Sequence, residues 1–330
     1  MRPDISVVIP TYNRTASLRR TLQSISQQTY LPKEVLIVDA STEPEDANAL
    51  INLFPNLTIL YYTSKPSVCI QRNFGIQMAK FPYILLCDDD IEAPNDYLFK
   101  MVNYLSENPE AGIATGCVLQ KNELGKWVYQ YPTTSFFVYL WNFIFQLSAW
   151  GDFSEVKTNI FTKPIFVLIK QFYDKRRNSY TLAGWPLITS FTKPVTRTSI
   201  YGLGASVIKR EWLISSPFDE QLVPSGIGDN YGITIKLRYD KPIHILTEAY
   251  VYHHYAQENR LKAALSYQYR VFALHHFIKK SSKFNYINIL FLYWSIVGHT
   301  IYQISKLNGK MVKASLKTLV TLVIGMNPYK

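Results

Sequence analysis

The sequence predicts an α/β domain built on a mostly parallel sheet with helices on both faces. Through the first 120 residues, short apolar and β-branched runs alternate with stretches of helical period. Those runs are apolar at nearly every position, as strands buried on both faces are. Asn13, Asp39 and the acids Asp88, Asp89 and Asp90 each follow such a run. They therefore collect at the carboxyl ends of the strands, where open α/β sheets bind ligands.

In chain order, residues 5–10 read as a strand stopped by Pro10, and residues 14–28 as a helix with Leu18, Leu22 and Ile25 on one face. A strand over 34–39, a helix over 47–53, a strand over 57–62 and a helix over 68–80 follow. The strand 82–87 leads into a helix over about 95–105, and 111–118 makes a fifth strand. Residues 119–198 lose this alternation. They hold an aromatic patch at 136–145 and a basic turn, Lys175-Arg176-Arg177, and read as an insertion with substrate or membrane contacts. Compact α/β patterning resumes over 201–252, and helix follows from 258. The division expected is a domain over 1–255 and a basic, aromatic helical tail over 256–330, the domain comprising a ligand half (1–120), the insertion (121–198) and a second half (199–255).

Of 330 residues, 48% are hydrophobic and 18% charged, so a large core forms with apolar surface left over. The formal net charge is +11, and residues 256–330 carry eleven Lys or Arg against one acid, Glu258. Basic residues flanking apolar aromatic runs favour an anionic membrane surface over nucleic acid. Residues 284–305 hold no charged side chain, yet Asn285, Asn288, Ser295, His299, Thr300 and Gln303 interrupt them, which suits helices lying in the interface better than a span. Cys69, Cys87 and Cys117 have no metal or redox spacing and read as buried, reduced thiols. With no basic-then-apolar leader at the start, the expected place is cytoplasmic, peripheral on the inner face of the membrane. Pro10-Thr11-Tyr12-Asn13-Arg14 has no glycine, so a dinucleotide-binding turn is excluded.

The stretch "CDDDIEAP" poses the chemical question. Three adjacent carboxylates after a buried run repel one another and require a positive partner. Mg²⁺ or Mn²⁺ with a diphosphate is one such partner, since these hard cations use one or two carboxylates plus phosphate oxygens.

Together "SVVIPTYNR", "VLIVDAST", "SVCIQRNFGI" and "CDDDIEAP" resemble, in order and spacing, the successive motifs of family 2 glycosyltransferases, which have the GT-A fold. The resemblance covers residues 4 to about 120 and about 200 to 255. It implies that Pro10, Thr11, Tyr12 and Asn13 hold the base and ribose of a nucleotide-sugar, most readily a UDP-sugar. Asp39 would accept the base's ring N–H; the second acid usual there is Ala40. Arg72, Asn73 and Gly75 would lie beside the nucleotide, with Arg72 suited to phosphate. Asp88 and Asp90 would form the DxD pair on the metal and ribose, with Asp89 beside the donor.

The segment "YGLGASVIKREWLISSPFDEQL" resembles the family's acceptor side, with Gly204 letting backbone approach the sugar. In "SGIGDNYGITIKL" the family's general base falls at Asn230, and an amide cannot take a proton. Asp229, one place earlier, is the favoured base. A histidine completing the metal site is His254 or, alternatively, His253. The implied reaction is inverting transfer to an acceptor hydroxyl, the acceptor being a glycan or polyprenyl-linked intermediate. The alternative is an inactive scaffold of the same fold that binds nucleotide-sugar or membrane.

Overall fold

The computed structural model describes residues 3–129, 135–223, 226–236, 242–255 and 261–329. Strands β1 (Ile5–Thr11), β2 (Glu34–Asp39), β3 (Ile59–Thr63) and β4 (Tyr83–Cys87) are separated by helices α1 (Thr15–Ser26), α2 (Ala47–Leu53) and α3 (Val68–Met78). A two-residue β5 (Ile91–Glu92), helix α4 (Tyr97–Glu107) and the long β6 (Ile113–Lys121) follow. The insertion supplies β7 (Trp127–Tyr129), α5 (Phe136–Phe145), β8 (Ala149–Trp150), α6 (Thr162–Arg176), β9 (Ser179–Tyr180), β10 (Pro186–Ile188) and β11 (Val195–Thr198). Then come β12 (Ala205–Lys209), α7 (Arg210–Ser215), α8 (Asp229–Lys236) and β13 (Ile243–His253). The chain continues with α9 (Ala263–Lys280), α10 (Tyr286–Ser305) and α11 (Gly309–Val323).

The main sheet runs β11-β13-β6-β12-β4-β1-β2-β3. Pairs β1–β2, β2–β3, β1–β4 and β6–β13 are parallel, while β12 is antiparallel to both β4 and β6. The fold class expected from the sequence is thus the one observed, with β12 as the inverted strand that lets residues after the insertion return to the centre.

Pro10 does not stop β1. It stays in register with Val38 of β2, and the pairing with β4 already ends at Val8 opposite Leu86. Proline is tolerated where a strand has lost one of its neighbours.

Every residue of β1 and β2 is buried. Helix α3 lies so close to them that a Cβ on Gly75 would sit 2.5 Å from Val8 Cγ1. Gly75 therefore serves helix-to-sheet packing. The insertion builds a small core of its own from Phe136, Tyr139, Phe153, Phe166, Ile169 and Tyr173.

The tail behaves differently from a separate appendage. Val271, Leu274, Phe277, Leu292, Ile296 and Leu322 belong to the same core cluster as Val8 and Leu86. A boundary at 255/256 thus marks a change of charge and does not separate two cores. Among the described residues no helix is long and apolar enough to cross a membrane.

Candidate active site

Three consecutive residues of α3 face three ways, because each step around a helix turns about 100°. Gln71 turns to the sheet, and its amide donates to the carbonyls of Thr11 (2.8 Å) and Val38 (2.7 Å). Those are the ends of β1 and β2, so Gln71 staples the turns that follow them. Asn73 turns the other way. It donates to Phe218 O and Glu220 Oε1, and accepts from the Phe218 backbone N–H. The sequence expectation put Asn73 beside the nucleotide; here its amide is engaged in clasping the 218–220 segment.

Arg72, between them, points into the cleft. One guanidinium nitrogen donates to Asp88 Oδ1 at 2.6 Å and another to Asp229 Oδ2. The Phe218 ring lies 5.1 Å from the guanidinium carbon. Burial by itself would lower the Arg72 pKa, but the Asp229 and Asp88 carboxylates outweigh it and hold the group above its usual range.

The acidic run divides its partners. Asp88 goes to Arg72. Asp89 accepts from Thr11 Oγ1 (2.8 Å) and Arg14 (3.1 Å), and burial pushes its pKa up to about 6 despite Arg14. Asp90, almost fully buried, lies 3.9 Å from Arg14 and 3.2 Å from His253 Nε2. Two arginines, Arg72 and Arg14, thus supply the positive charge that three adjacent carboxylates require. Asp89, almost fully buried, ties β1 to the β4–β5 turn.

Of the two histidines, His253 faces Asp90. His254 points to the other side of the strand, where its Nε2 meets Glu92 at 2.6 Å and its ring packs edge-on against Trp127. This reverses the preference drawn from sequence, for the reason that alternate residues of a strand face opposite ways. Asp90 and His253 offer a carboxylate oxygen and an imidazole nitrogen, a donor pair suited to a divalent cation and more natural for Mn²⁺ than for Mg²⁺. Asp88 stands at the rim, engaged by Arg72. Among the described residues, no group of three or more His, Cys, Asp or Glu is arranged to hold a metal ion.

Across the cleft floor, Asn13 adopts φ 51 and accepts from Thr42 N–H at 3.0 Å, so the turns after β1 and β2 are joined. Asp39 accepts from Ser41 N–H (2.7 Å) and from the Tyr61 hydroxyl, whose pKa burial and Asp39 raise. Pro10 and Thr11 end β1 beside them, and Tyr12 follows, half-buried.

Gly204 lies under Asp88. Its carbonyl accepts from Asp88 N–H at 2.8 Å, and a Cβ there would sit 2.0 Å from Asp88 Oδ2. The missing side chain makes room for the Asp88 carboxylate.

Asp229 opens α8, where the helix N-terminus favours an anion. Gly226 (φ 66) and Gly228 (φ 98) form the turn before it, and Cβ atoms there would meet Val68 Cγ1 at 2.0 Å and Ala273 Cβ at 2.5 Å. Burial raises the Asp229 pKa, with Arg72 opposing and Asp88 reinforcing. Asn230 donates its backbone N–H to Asp229 Oδ1 at 2.7 Å, while its own side-chain oxygen is buried without a hydrogen-bond partner among the described residues.

Sequence reasoning missed Arg14, Gln71 and Tyr61. Arg14 stood inside a quoted motif, but its partner lies 75 residues on. Only the folded β4–β5 turn reveals the pairing.

An acid run, an arginine and a carboxylate at the head of α8 thus gather at the rim of a sheet of the GT-A fold. Residues 6–164, a little under half of the chain, match glycosyl transferase family 2. The chain is 39% identical over 87 residues to YwdF of Bacillus subtilis, an uncharacterized glycosyltransferase, a stretch covering 26% of this chain and 32% of YwdF. The chain thus spans about a third of that relative's length. Among solved structures, GalNAc-T7 with UDP, GalNAc and Mn²⁺ superposes with a TM-score of 0.60 at 15% identity, covering 99% of this chain and 59% of that one. The Pyrobaculum calidifontis mannosyltransferase PcManGT, in complex with GDP-Man and Mn²⁺, gives 0.53 at 15% identity, covering 98% and 76%.

Proposed function

We propose that the chain is an inverting glycosyltransferase that moves a sugar from a nucleoside-diphosphate donor, most readily a UDP-sugar, onto an acceptor hydroxyl. The observation that carries this reading is Arg72 bridging Asp88 and Asp229. A donor diphosphate competes with both carboxylates for the guanidinium, which recognises phosphate in a bidentate manner. Its arrival frees Asp229 to accept the acceptor hydroxyl's proton. The hydroxyl oxygen then bonds to the anomeric carbon, and the bond to the diphosphate breaks with its electron pair on the leaving group. Arg72 stays beside that growing charge.

A divalent cation, Mn²⁺ or Mg²⁺, would add charge neutralisation on the diphosphate, and Asp90 and His253 are the residues that would hold it, with Asp88 alongside. Thr11 ends β1, and Tyr12 and Asn13 in the turn after it border the nucleotide, with Asp39 at the base.

The test is transfer from a panel of nucleotide-sugars with Mn²⁺ present. Asp229→Asn lowers kcat by about 10²–10⁴-fold while donor binding is kept or tightened, since one competitor for Arg72 is gone, and Asn230→Ala changes kcat little. Full turnover by Asp229→Asn would sink the assignment of the base.

The acceptor proposed is a glycan on a lipid carrier at the inner face of a membrane. Its support is an apolar face on α10 and α11, where Tyr286, Leu290, Trp294, Val320 and Val323 are exposed beside Lys306, Lys313 and Lys317. The face continues onto the insertion: Trp294 stacks on Phe145 at 4.9 Å and donates to Ile144 O at 2.8 Å, and Phe137 is exposed on the same helix α5. Apolar side chains rimmed by lysine suit an anionic lipid surface.

A further inference from the structure

A cavity of about 630 Å³ lies far from the acids, lined among others by Tyr104 and Asn108 around α4, Tyr173 and Arg177 at the end of α6, and Arg197 of β11. Strand β13 links the two places. Its residue His244 pairs with Arg197, and its last residue, His253, contacts Asp90. Because β13 bulges between Leu246 and Tyr250, His244 pairs with Ala114 of β6 and Tyr252 with Leu119, so the two places lie about 20 Å apart at the usual rise. The cavity is therefore not part of the donor cleft.

We propose that this cavity binds an anionic stretch of glycan, a saccharide segment bearing carboxylate or phosphate groups, at a distance from the reacting end. The choice of a saccharide rests on the glycosyltransferase reading; the existence of a site does not. Its volume falls within the range that encloses a drug-sized ligand, about 300–1,000 Å³.

Charge comes next. Arg177 and Arg197 both line the cavity, and neither guanidinium has a side-chain partner among the described residues. Their neighbour Arg176 differs: it folds back over the Phe172 ring at 5.0 Å and toward Tyr180 O at 3.4 Å. Asp174, the acid in the wall, is paired with Lys170 at 2.6 Å. Two unengaged forks of N–H donors match a carboxylate or phosphate.

A second, independent sign is Tyr173. The residue is 0% exposed, and its hydroxyl oxygen has no hydrogen-bond partner among the described residues. A buried, unsatisfied hydroxyl in a cavity wall calls for a polar group of a ligand. The backbone of Arg177 is held at φ 55, unusual for a residue with a side chain, and strain of this kind concentrates at ligand sites. Tyr104, fixed by its 2.6 Å contact with His244 Nδ1, adds an aromatic wall, and Thr189, Ser190 and Thr192 bring hydroxyl groups to it. Such a lining suits a sugar ring better than a bare anion.

The experiment titrates the full chain by calorimetry with tetragalacturonate, maltotetraose and inorganic phosphate. Tetragalacturonate is expected to bind, with maltotetraose and phosphate each at least tenfold weaker. An Arg177→Ala, Arg197→Ala double variant, both positions being exposed and so harmless to folding, weakens tetragalacturonate at least tenfold. Tyr173→Phe weakens it several-fold. Asp229→Asn binds the tetramer as the parent does, which keeps this result separate from the fate of the catalytic reading. No tetragalacturonate binding, equal binding by the double variant, or phosphate binding as tightly as the tetramer would each overturn the proposal.

Discussion

Arg72 holds Asp88 with one arm of its guanidinium and Asp229 with the other, joining the end of β4 to the start of α8 across the cleft. A lysine keeps the charge but presents a single ammonium that cannot fork between two carboxylates. Arg72→Lys is expected to weaken donor binding about tenfold or more. Arg72→Ala leaves the mostly buried Asp229 carboxylate without its cation, while Asp88 at the rim is solvated, and destabilises the domain by about 1–3 kcal/mol. Thermal melts and donor titration check both, and an Arg72→Ala protein as stable as the parent would show that the bridge is incidental.

Gly204 and Gly202 make a matched pair. A Cβ at Gly204 meets Asp88 Oδ2 at 2.0 Å, whereas at Gly202 it meets nothing within 4 Å. Gly204→Ala should displace Asp88 and reduce Mn²⁺-dependent donor binding at least tenfold, with Gly202→Ala near neutral. Equal effects at the two positions would remove the claim that Gly204 seats the acid.

The pH profile follows from Asp229. Burial raises its pKa above the ordinary carboxylate value, and a general base works only when deprotonated. Transfer rate therefore falls with acidity at a pH above the usual carboxylate range. A kcat/KM profile with its acid limb at or below about pH 4 would contradict the role given to Asp229.

Asp219 governs stability in acid. His276 donates to it at 3.0 Å, and this bond first, with backbone and Lys280 help, lowers its pKa to about 2. A carboxyl lowered on folding adds stability above its unfolded pKa, near 4, and loses it as pH falls toward 2. Asp219→Asn should cost on the order of 1 kcal/mol at pH 7, allowing for solvent screening, and flatten the decline between about pH 4 and 2. Denaturant melts at pH 7 and pH 3 measure it, and an unchanged slope refutes it.

Membrane docking is read by flotation with vesicles. Binding to anionic vesicles should drop at least tenfold when Lys306, Lys313 and Lys317 are changed to Glu, and also when Leu290 and Trp294 are changed to Ser. Neutral vesicles should bind the parent weakly. Equal flotation of all variants would leave the lysine-rimmed face without a lipid partner.

Alternation of apolar runs with helical stretches settled the sheet from sequence alone, because strands buried on both faces leave few other patterns. The carboxyl-end position of Asp39, Asp88 and Asp90 was legible for the same reason. The glycine lead-in before Asp229 was equally visible, since only glycine suits φ 66 and φ 98 where Val68 and Ala273 crowd the turn.

Partnership was decided by the tertiary structure. Asn73 and Arg72 are neighbours in sequence, yet one clasps Phe218 and the other bridges Asp88 and Asp229. His253 and His254 are likewise adjacent and take opposite sides of one strand. Charge statistics marked residues 256–330 as a tail, but Leu274 and Leu292 lie in the central core. Local pattern determines which elements form, because periodicity acts within a few residues. Which side chains meet depends on how distant elements pack, and that is where Arg14 found Asp89 and His276 found Asp219.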